Sequence, residues 1–313
     1  MDVNSKIVVT GAAGLVGQNL IVQLKANGFN NIVAIDKHPY NTKILANLHP
    51  DIKVIFADLA EKGEWQNSFI NASCVVMLQA QIGGLTIDPF IRNNINSTKL
   101  IIELMKKHNV PYLIHISSSV INSVANDFYT NTKKEQEKLV ITSGIDYCVL
   151  RPTLMFGWFD RKHLGWLSRF MKKVPVFPIP GDGKYIRQPL YVKDFCNIII
   201  SVLKEKPKNK IYDITGCEKV YYVDIIRSIK KATKAKTIIL HIPYSLFYFL
   251  LATAGMLMKD PPFTIQQLKA LVAKDEFELI PWWDIFHVMP TKFSDAIYET
   301  FNDPVYSKYI LEF

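Results

Sequence analysis

The stretch Lys6–Gly17, K-I-V-V-T-G-A-A-G-L-V-G, restricts what this chain can fold into more than any other. Ile7, Val8 and Val9 are consecutive β-branched residues, the composition of a short buried strand that ends at Thr10. Gly11, Gly14 and Gly17 then mark a tight turn running directly into a helix over Leu15–Ala26. Gly11 lets the chain leave the strand in a backbone conformation that side chains resist. Gly14 lets the backbone approach a pyrophosphate, and Gly17 lets the helix pack closely on the sheet. Free N–H groups at the helix N-terminus complete an anion site. Ala13, Leu15 and Val16 share this turn and are expected to line it.

A glycine triad alone carries little weight, so its surroundings decide. A second strand, Asn31–Ile35, ends at Asp36, about 20 residues past the turn, as a dinucleotide-binding unit requires. A carboxylate there accepts hydrogen bonds from both hydroxyls of an adenosine ribose and repels a 2′-phosphate. NAD is therefore expected in preference to NADP, with Lys37 and His38 softening that preference. Further strands are expected at Lys53–Phe56, Cys74–Leu78, Tyr112–Ile116 and Asp146–Leu150. Helices are expected at Lys43–Leu48, Lys62–Ile70, Pro89–His108 and Tyr129–Ser143. This alternation is the pattern of an α/β chain with a Rossmann-type doubly wound parallel sheet.

At 313 residues and 49% hydrophobic, the chain can bury a large core. The expected division is a Rossmann domain over 1–160 and a smaller C-terminal α/β substrate lobe over 161–313, with segments near 185–215 returning to the first. Cys74, Cys148, Cys196 and Cys217 are far apart, with no C-x-x-C and no Cys/His cluster. Reduced thiols in a cytoplasmic protein and no metal site are the expectation. Met1–Ser5 is short and polar, unlike a secretory signal. The net charge of +9 comes from lysines scattered along helices, with a modest cluster at Lys230–Lys236. No nucleic-acid motif accompanies them, so a small-molecule partner is expected.

Asp58-Leu59 closes the third strand, where an aspartate can accept from an adenine amino group while the leucine packs on the ring. Gln79-Ala80-Gln81 closes the fourth, where the backbone would pass close to a cofactor. Asn94 and Thr98 lie on the long helix in N-N-I-N-S-T-K-L. Ser117-Ser118-Ser119 follows the strand Tyr112–Ile116, at the end of a parallel strand where such sheets bind ligands. Eleven residues beyond Ser118 comes Tyr129-Thr130-Asn131-Thr132-Lys133. Tyr129 and Lys133, four apart, share one helix face. An ammonium near a phenol lowers the phenol's pKa. Such a tyrosine can exchange a proton with a substrate oxygen while hydride moves to or from a nicotinamide.

Together these motifs resemble the extended short-chain dehydrogenase/reductase superfamily, of the NAD-dependent epimerase/dehydratase type. The resemblance implies Ser118, Tyr129 and Lys133 as the catalytic set, with Ser119 beside the substrate. It implies cofactor contacts from Asn94, Ser117, Tyr129, Lys133, Pro152 and Thr153. Val149–Gly157 resembles the family's R-P-x-x-x-Y/F-G segment, with Leu154 where nucleotide-sugar enzymes commonly place an asparagine. Arg187–Asp194 resembles its R-x-x-x-x-V-x-D segment, in which the arginine meets a substrate diphosphate and the aspartate starts a helix. The family often has Tyr-Gly shortly after the serine, and this chain has Asn122-Ser123. Its dehydratases keep an Asp-Glu where this chain has Ser119-Val120, which disfavours dehydration. The segments P-P-F-T-I-Q-Q-L and I-P-W-W-D-I-F-H-V-M-P-T resemble the branch related to the short-chain-fold accessory subunit of respiratory complex I.

The uncharged run Ser245–Met258 is too short for a bilayer span, which needs roughly 20 apolar residues. A buried helix is expected there, the other reading being a peripheral membrane contact or a greasy-substrate helix. The expected function is an NAD-dependent epimerase or oxidoreductase of a nucleoside-diphosphate sugar, possible as a homodimer through its two long helices. A dehydrogenase of a sterol-like or isoprenoid alcohol and a dinucleotide-binding scaffold without turnover stay open beside it.

Overall fold

The computed structural model describes residues 1–257, 263–272 and 276–312. At its centre lie seven strands: β1 (Ile7–Thr10), β2 (Ile32–Asp36), β3 (Lys53–Phe56), β4 (Cys74–Met77), β5 (Tyr112–Ile116), β6 (Asp146–Pro152) and β7 (Lys210–Ile214). In space they run β7-β6-β5-β4-β1-β2-β3, and every neighbouring pair is parallel. The order reverses between β1 and β4. The crevice outside the carboxyl ends of the strands at such a reversal is where open α/β sheets bind ligands.

The innermost strands β1 and β4 are nearly continuous apolar runs, buried throughout, because helices cover both faces. Ile7 and Val9 of β1 enter a core with Leu20, Leu24 and Phe195, while Val8 points the other way, towards Phe69 and Ile101. The first face is covered by α1 (Leu15–Ala26). The order continues with α2 (Pro39–Leu48), then α3 across residues 88–107, and α4 (Phe128–Ile141). Most bounds fall within a residue or two of the sequence reading. Two elements differ in kind. The expected helix Lys62–Ile70 is a 3-10 helix, Glu64–Phe69, which drops Trp65 and Phe69 into the core. The expected helix Pro89–His108 carries a π-helical stretch, Ile91–Asn96, whose polar side chains bond across to neighbouring segments instead of running on as a regular face.

After β6 the chain builds a second core from α5 (Leu164–Lys173), α7 (Tyr222–Thr233) and the helix Phe293–Asn302. Between α5 and α7, α6 (Val192–Glu205) packs beside α1, and β7 joins the central sheet. A parallel two-stranded ribbon, Val176–Pro180 with Ile238–Ile242, edges this second core. The helix expected at Ser245–Met258 forms as α8 (Tyr244–Leu257), with Met258, like Pro261 and Pro262, outside the described residues. It is not buried. Phe247 alone among its described side chains is buried, while Leu246, Phe249, Leu250 and Met256 are exposed. The second core is already filled from α5, α7 and Phe293–Asn302, and an evenly uncharged helix has no polar face to set its orientation.

Asp194 stands at the start of a helix, as the resemblance implies, but not as its cap. It lies in the first turn of α6, whose N-cap is Tyr191. Its buried carboxylate accepts from Thr291 N at 2.9 Å and from Thr291 Oγ1 at 2.6 Å, tying down a segment about a hundred residues away in the chain. Asp194→Ala is expected to lower the unfolding free energy by about 2–4 kcal/mol. A urea titration checks this, and an unchanged midpoint would show the tether to be idle.

Candidate active site

Gly11 has φ +69°, and a Cβ on it would stand 2.5 Å from Gln79 N. The turn therefore lies directly on the backbone leaving β4. A Cβ on Gly17 would stand 2.3 Å from Ala12 O. Its missing side chain lets α1 close on the turn itself, where the sequence reading had it pack on the sheet. Gly14 is the N-cap of α1, and no side chain caps the first N–H groups. A Cβ there would meet only Gly11 O, at an ordinary 3.5 Å, so the space before the helix is open to an anion. Ala13 is buried, while Leu15 and Val16 are half-buried and pack on the core.

Asp36 holds this turn to the end of β2. One carboxylate oxygen accepts from Ala13 N and the other from His38 N, each at 2.9 Å. Each oxygen keeps a second lone pair for a further donor. Asp58 accepts from Ala60 N at 2.9 Å and pairs with Arg92 at 3.2 Å and Lys37 at 3.4 Å. Leu59 is buried among Trp65 and Phe69, so its side chain faces the core and not the cleft.

Beyond β4, Gln79 does not keep its side chain in the cleft. Its Oε1 accepts from Thr10 Oγ1 at 2.6 Å, and its buried Nε2 has no partner among the described residues. Ala80 is exposed. Gln81 N donates to Asn94 Oδ1 at 2.7 Å, and Asn94 Nδ2 donates to Thr132 Oγ1 at 3.0 Å. Fully buried Asn94 thus joins three segments: the exit of β4, the π stretch of α3 and the start of α4.

Ser117, Ser118 and Ser119 leave β5. Ser117 N donates to Leu150 O at 2.8 Å, and its buried hydroxyl has no partner among the described residues. Ser118 caps a one-turn 3-10 helix, Ser119–Asn122. The helix α4 opens with Asp127 as its N-cap, accepting from Thr130 N at 2.8 Å. This sets Tyr129 on the first turn of α4, within the electrostatic reach of the Ser118 hydroxyl. One turn on, Lys133 is fully buried, and its Nζ donates to Ile116 O at 3.0 Å and to Gln136 Oε1 at 2.5 Å.

Burial pushes the Lys133 ammonium down to about 7, against the upward pull of Glu137. The Tyr129 phenol is raised by burial, with the Ser118 hydroxyl pulling it down and Asp127 pushing it up. The sequence reading expected Lys133 to lower that phenol. Instead the ammonium is directed into the β5 carbonyl and Gln136, and burial prevails. Gln136 is the residue that sequence reasoning missed. Its amide also donates to Thr98 Oγ1 at 3.0 Å and to Gln79 O at 3.4 Å. Its place three residues after Lys133, on the same helix face, was the available signal. Glu137 and Arg151 form a paired bridge, 2.6 and 3.1 Å, that fastens α4 to β6.

Pro152 ends β6, and Thr153 is buried with its N–H on Ile214 O at 3.0 Å. Leu154 is 42% exposed. The glycine turn, Asp36, Gln79–Gln81, Ser117–Ser119 and Thr153 thus lie at the carboxyl ends of five strands of one sheet, with Tyr129 and Lys133 beside them. Arg187 lies apart, in a strand paired with Val220–Tyr221, and donates to the carbonyls of Ile186 and Leu271.

Residues 7–215 match the NAD dependent epimerase/dehydratase family. The low-salt glycan biosynthesis protein Agl12 of Haloferax volcanii is 24% identical over 239 residues, 66% of this chain and 76% of its own length. The mitochondrial NADH dehydrogenase (ubiquinone) 1 alpha subcomplex subunit 9 of Arabidopsis thaliana is 25% identical over 220 residues, 68% of this chain and 54% of its own. The structure of UDP-glucuronic acid 4-epimerase from Bacillus cereus with UDP-glucuronic acid and NAD has a TM-score of 0.74 at 21% identity, covering 97% of this chain and 99% of that one. The family match takes in well over half of the chain and carries both the glycine turn and the Tyr129–Lys133 helix, so the chain belongs to the NAD dependent epimerase/dehydratase family.

Proposed function

We propose that this chain is an NAD-using epimerase or oxidoreductase of a nucleoside-diphosphate sugar, with Tyr129 as its acid/base. The observation that carries the reading is that Tyr129 and Lys133 share one turn of α4, with Lys133 fully buried and its Nζ on Ile116 O, at the end of the strand that leads into Ser117–Ser119. NAD fits the residues present. The close backbone approach at Gly11 and the uncapped helix start at Gly14 form a cradle for a pyrophosphate, and Asp36 has lone pairs for a ribose.

When bound, NAD supplies the hydride acceptor. Tyr129 takes the hydroxyl proton of the substrate at its phenol oxygen as the carbon–oxygen double bond forms. Ser118 holds that same oxygen. Lys133, pushed down to about 7 by burial, is held one turn along by Ile116 O and Gln136 Oε1, where it fixes the helix that carries the phenol. Ser119 flanks the reacting carbon. Residues 1–160 are read as the cofactor domain, and 161–313 as the substrate lobe with its middle segments returned to the first. Ser119-Val120 offers no second acid/base pair, so isomerisation or net redox is favoured over dehydration.

A less polar alcohol is the second reading. It is favoured by Leu154 exposed at 42% and by an Arg187 guanidinium that already bonds two backbone carbonyls. The test is a panel of nucleoside-diphosphate sugars and apolar alcohols incubated with the protein and NAD, followed by absorbance and product chromatography. Tyr129→Phe is expected to cut turnover at least about a hundredfold while leaving cofactor binding intact. Turnover on apolar alcohols alone would replace the sugar reading. Bound NAD with no turnover on either class would leave a scaffold.

A further inference from the structure

We propose that α8 and the ribbon before it dock this protein on an anionic lipid surface. Exposed Leu246, Phe249, Leu250 and Met256 of α8, with half-buried Thr253 among them, form a stripe spaced as one face of a helix. Phe249 is 62% exposed and Met256 85%. Thr253, the polar member of the stripe, turns its hydroxyl back onto Phe249 O and Leu250 O at 3.2 and 2.9 Å. Its hydrogen-bonding demand is thus met within the helix, which is the condition for entering an apolar medium. At 14 residues, α8 is about 21 Å long, short of the roughly 30 Å hydrocarbon core. It therefore lies in the interface and does not span it, and no helix among the described residues is long and apolar enough to cross.

Charge identifies the surface as anionic. Between Asp160 and Asp182 the chain has five Lys or Arg and no acidic residue, and the same holds between Asp224 and Leu257. These two stretches meet in the structure. Their strands pair as Val176–Pro180 with Ile238–Ile242, in parallel. The helices α5 and α7 both end just before those strands, so exposed Lys172, Lys173, Lys234 and Lys236 collect at one end of the ribbon. Ile238 and Leu240 stand 63% and 50% exposed along it, and α8 starts at its other end. Basic and apolar groups thus adjoin with no carboxylate in either stretch. A second copy bringing the same face would meet like charge, whereas anionic headgroups are complementary to it.

The experiment is co-sedimentation of the full chain with vesicles at physiological ionic strength. One set is phosphatidylcholine alone, and the other is equal parts phosphatidylcholine and phosphatidylglycerol. Binding to the second set only is expected, falling as salt rises. Phe249→Glu, at a position already in solvent, is expected to weaken it about tenfold or more. Lys234→Gln with Lys236→Gln is expected to weaken it about fivefold for each charge removed. Absence from the anionic vesicles, or binding indifferent to both variants, would overturn the proposal. Concentration-dependent dimers that Phe249→Glu dissolves, with no vesicle binding, would assign the face to a second copy instead.

Discussion

Lys133→Met is expected to reduce turnover by about a hundredfold or more and to remove a rise in stability between pH 7 and pH 9. Both effects come from one buried ammonium. Lys133 is fully buried, and its two acceptors are Ile116 O and Gln136 Oε1. Neither acceptor is charged. Glu137 supplies an opposing charge, but Arg151 already holds that carboxylate. His115, fully buried on β5, is pushed well below its usual range, first by burial and then by the Lys133 charge, and so stays neutral and leaves Lys133 without an opposing charge on that side. The lysine therefore sits at about 7 in the folded protein, against an ordinary value of 10.5. Between those values the unfolded chain binds more protons than the folded one, so stability rises with pH across that window. The rise from this group between pH 7 and pH 9 is about 2 kcal/mol. Methionine fills most of the same volume and cannot titrate, so the variant should lack this increment. Urea titrations of both proteins at pH 7, 8 and 9 give the difference. Equal slopes would mean that Lys133 keeps its charge in the fold. Turnover left within a factor of two would remove Lys133 from the chemistry.

The elements legible in the sequence were those with a single dominant cause. A run of β-branched residues before a glycine turn has few alternatives, and β1, β3, β5 and α1 begin and end where their patterns do. The four-residue spacing of Tyr129 and Lys133 likewise put them on one turn of α4. The parts that could not be read depend on contacts between distant segments. Nothing near Asn94 in the chain indicates that it bridges Gln81 and Thr132. The direction of the Lys133 ammonium depends on Gln136, and that of Asp194 on Thr291. The length and apolarity of α8 were plain, but its burial was decided by which other segments had filled the second core. Spacing along a helix fixes which residues are neighbours. It does not fix which of several neighbouring acceptors a long side chain takes.

Gly11→Ala and Gly14→Ala are expected to fail in different ways, and the contrast separates fold from binding in the same turn. At Gly11 a methyl would sit 2.5 Å from Gln79 N, 2.7 Å from Gln79 Cα and 2.9 Å from Leu78 C, all backbone atoms. That segment cannot yield freely. Leu78 N donates to Thr10 O at 3.0 Å, and Thr10 Oγ1 holds the Gln79 side chain. Alanine at φ +69° adds roughly 1–2 kcal/mol of backbone strain. Overpacking against fixed backbone adds roughly 1–3 kcal/mol more. Gly11→Ala should therefore lose about 2–5 kcal/mol of stability, visible in a thermal melt without any ligand. Gly14 has φ −79° and ψ 179°, which any residue adopts. Its added methyl meets only Gly11 O at 3.5 Å, so the ligand-free melt should barely move. The methyl nevertheless points to the open space before α1 where a pyrophosphate would come against the backbone. NAD affinity measured by titration calorimetry should fall about a hundredfold in Gly14→Ala. Undiminished affinity would take the pyrophosphate away from this turn. An unchanged melt in Gly11→Ala would mean that the exit of β4 can shift from β1 at little cost, and that the turn is held by the Asp36 carboxylate and not by backbone contact.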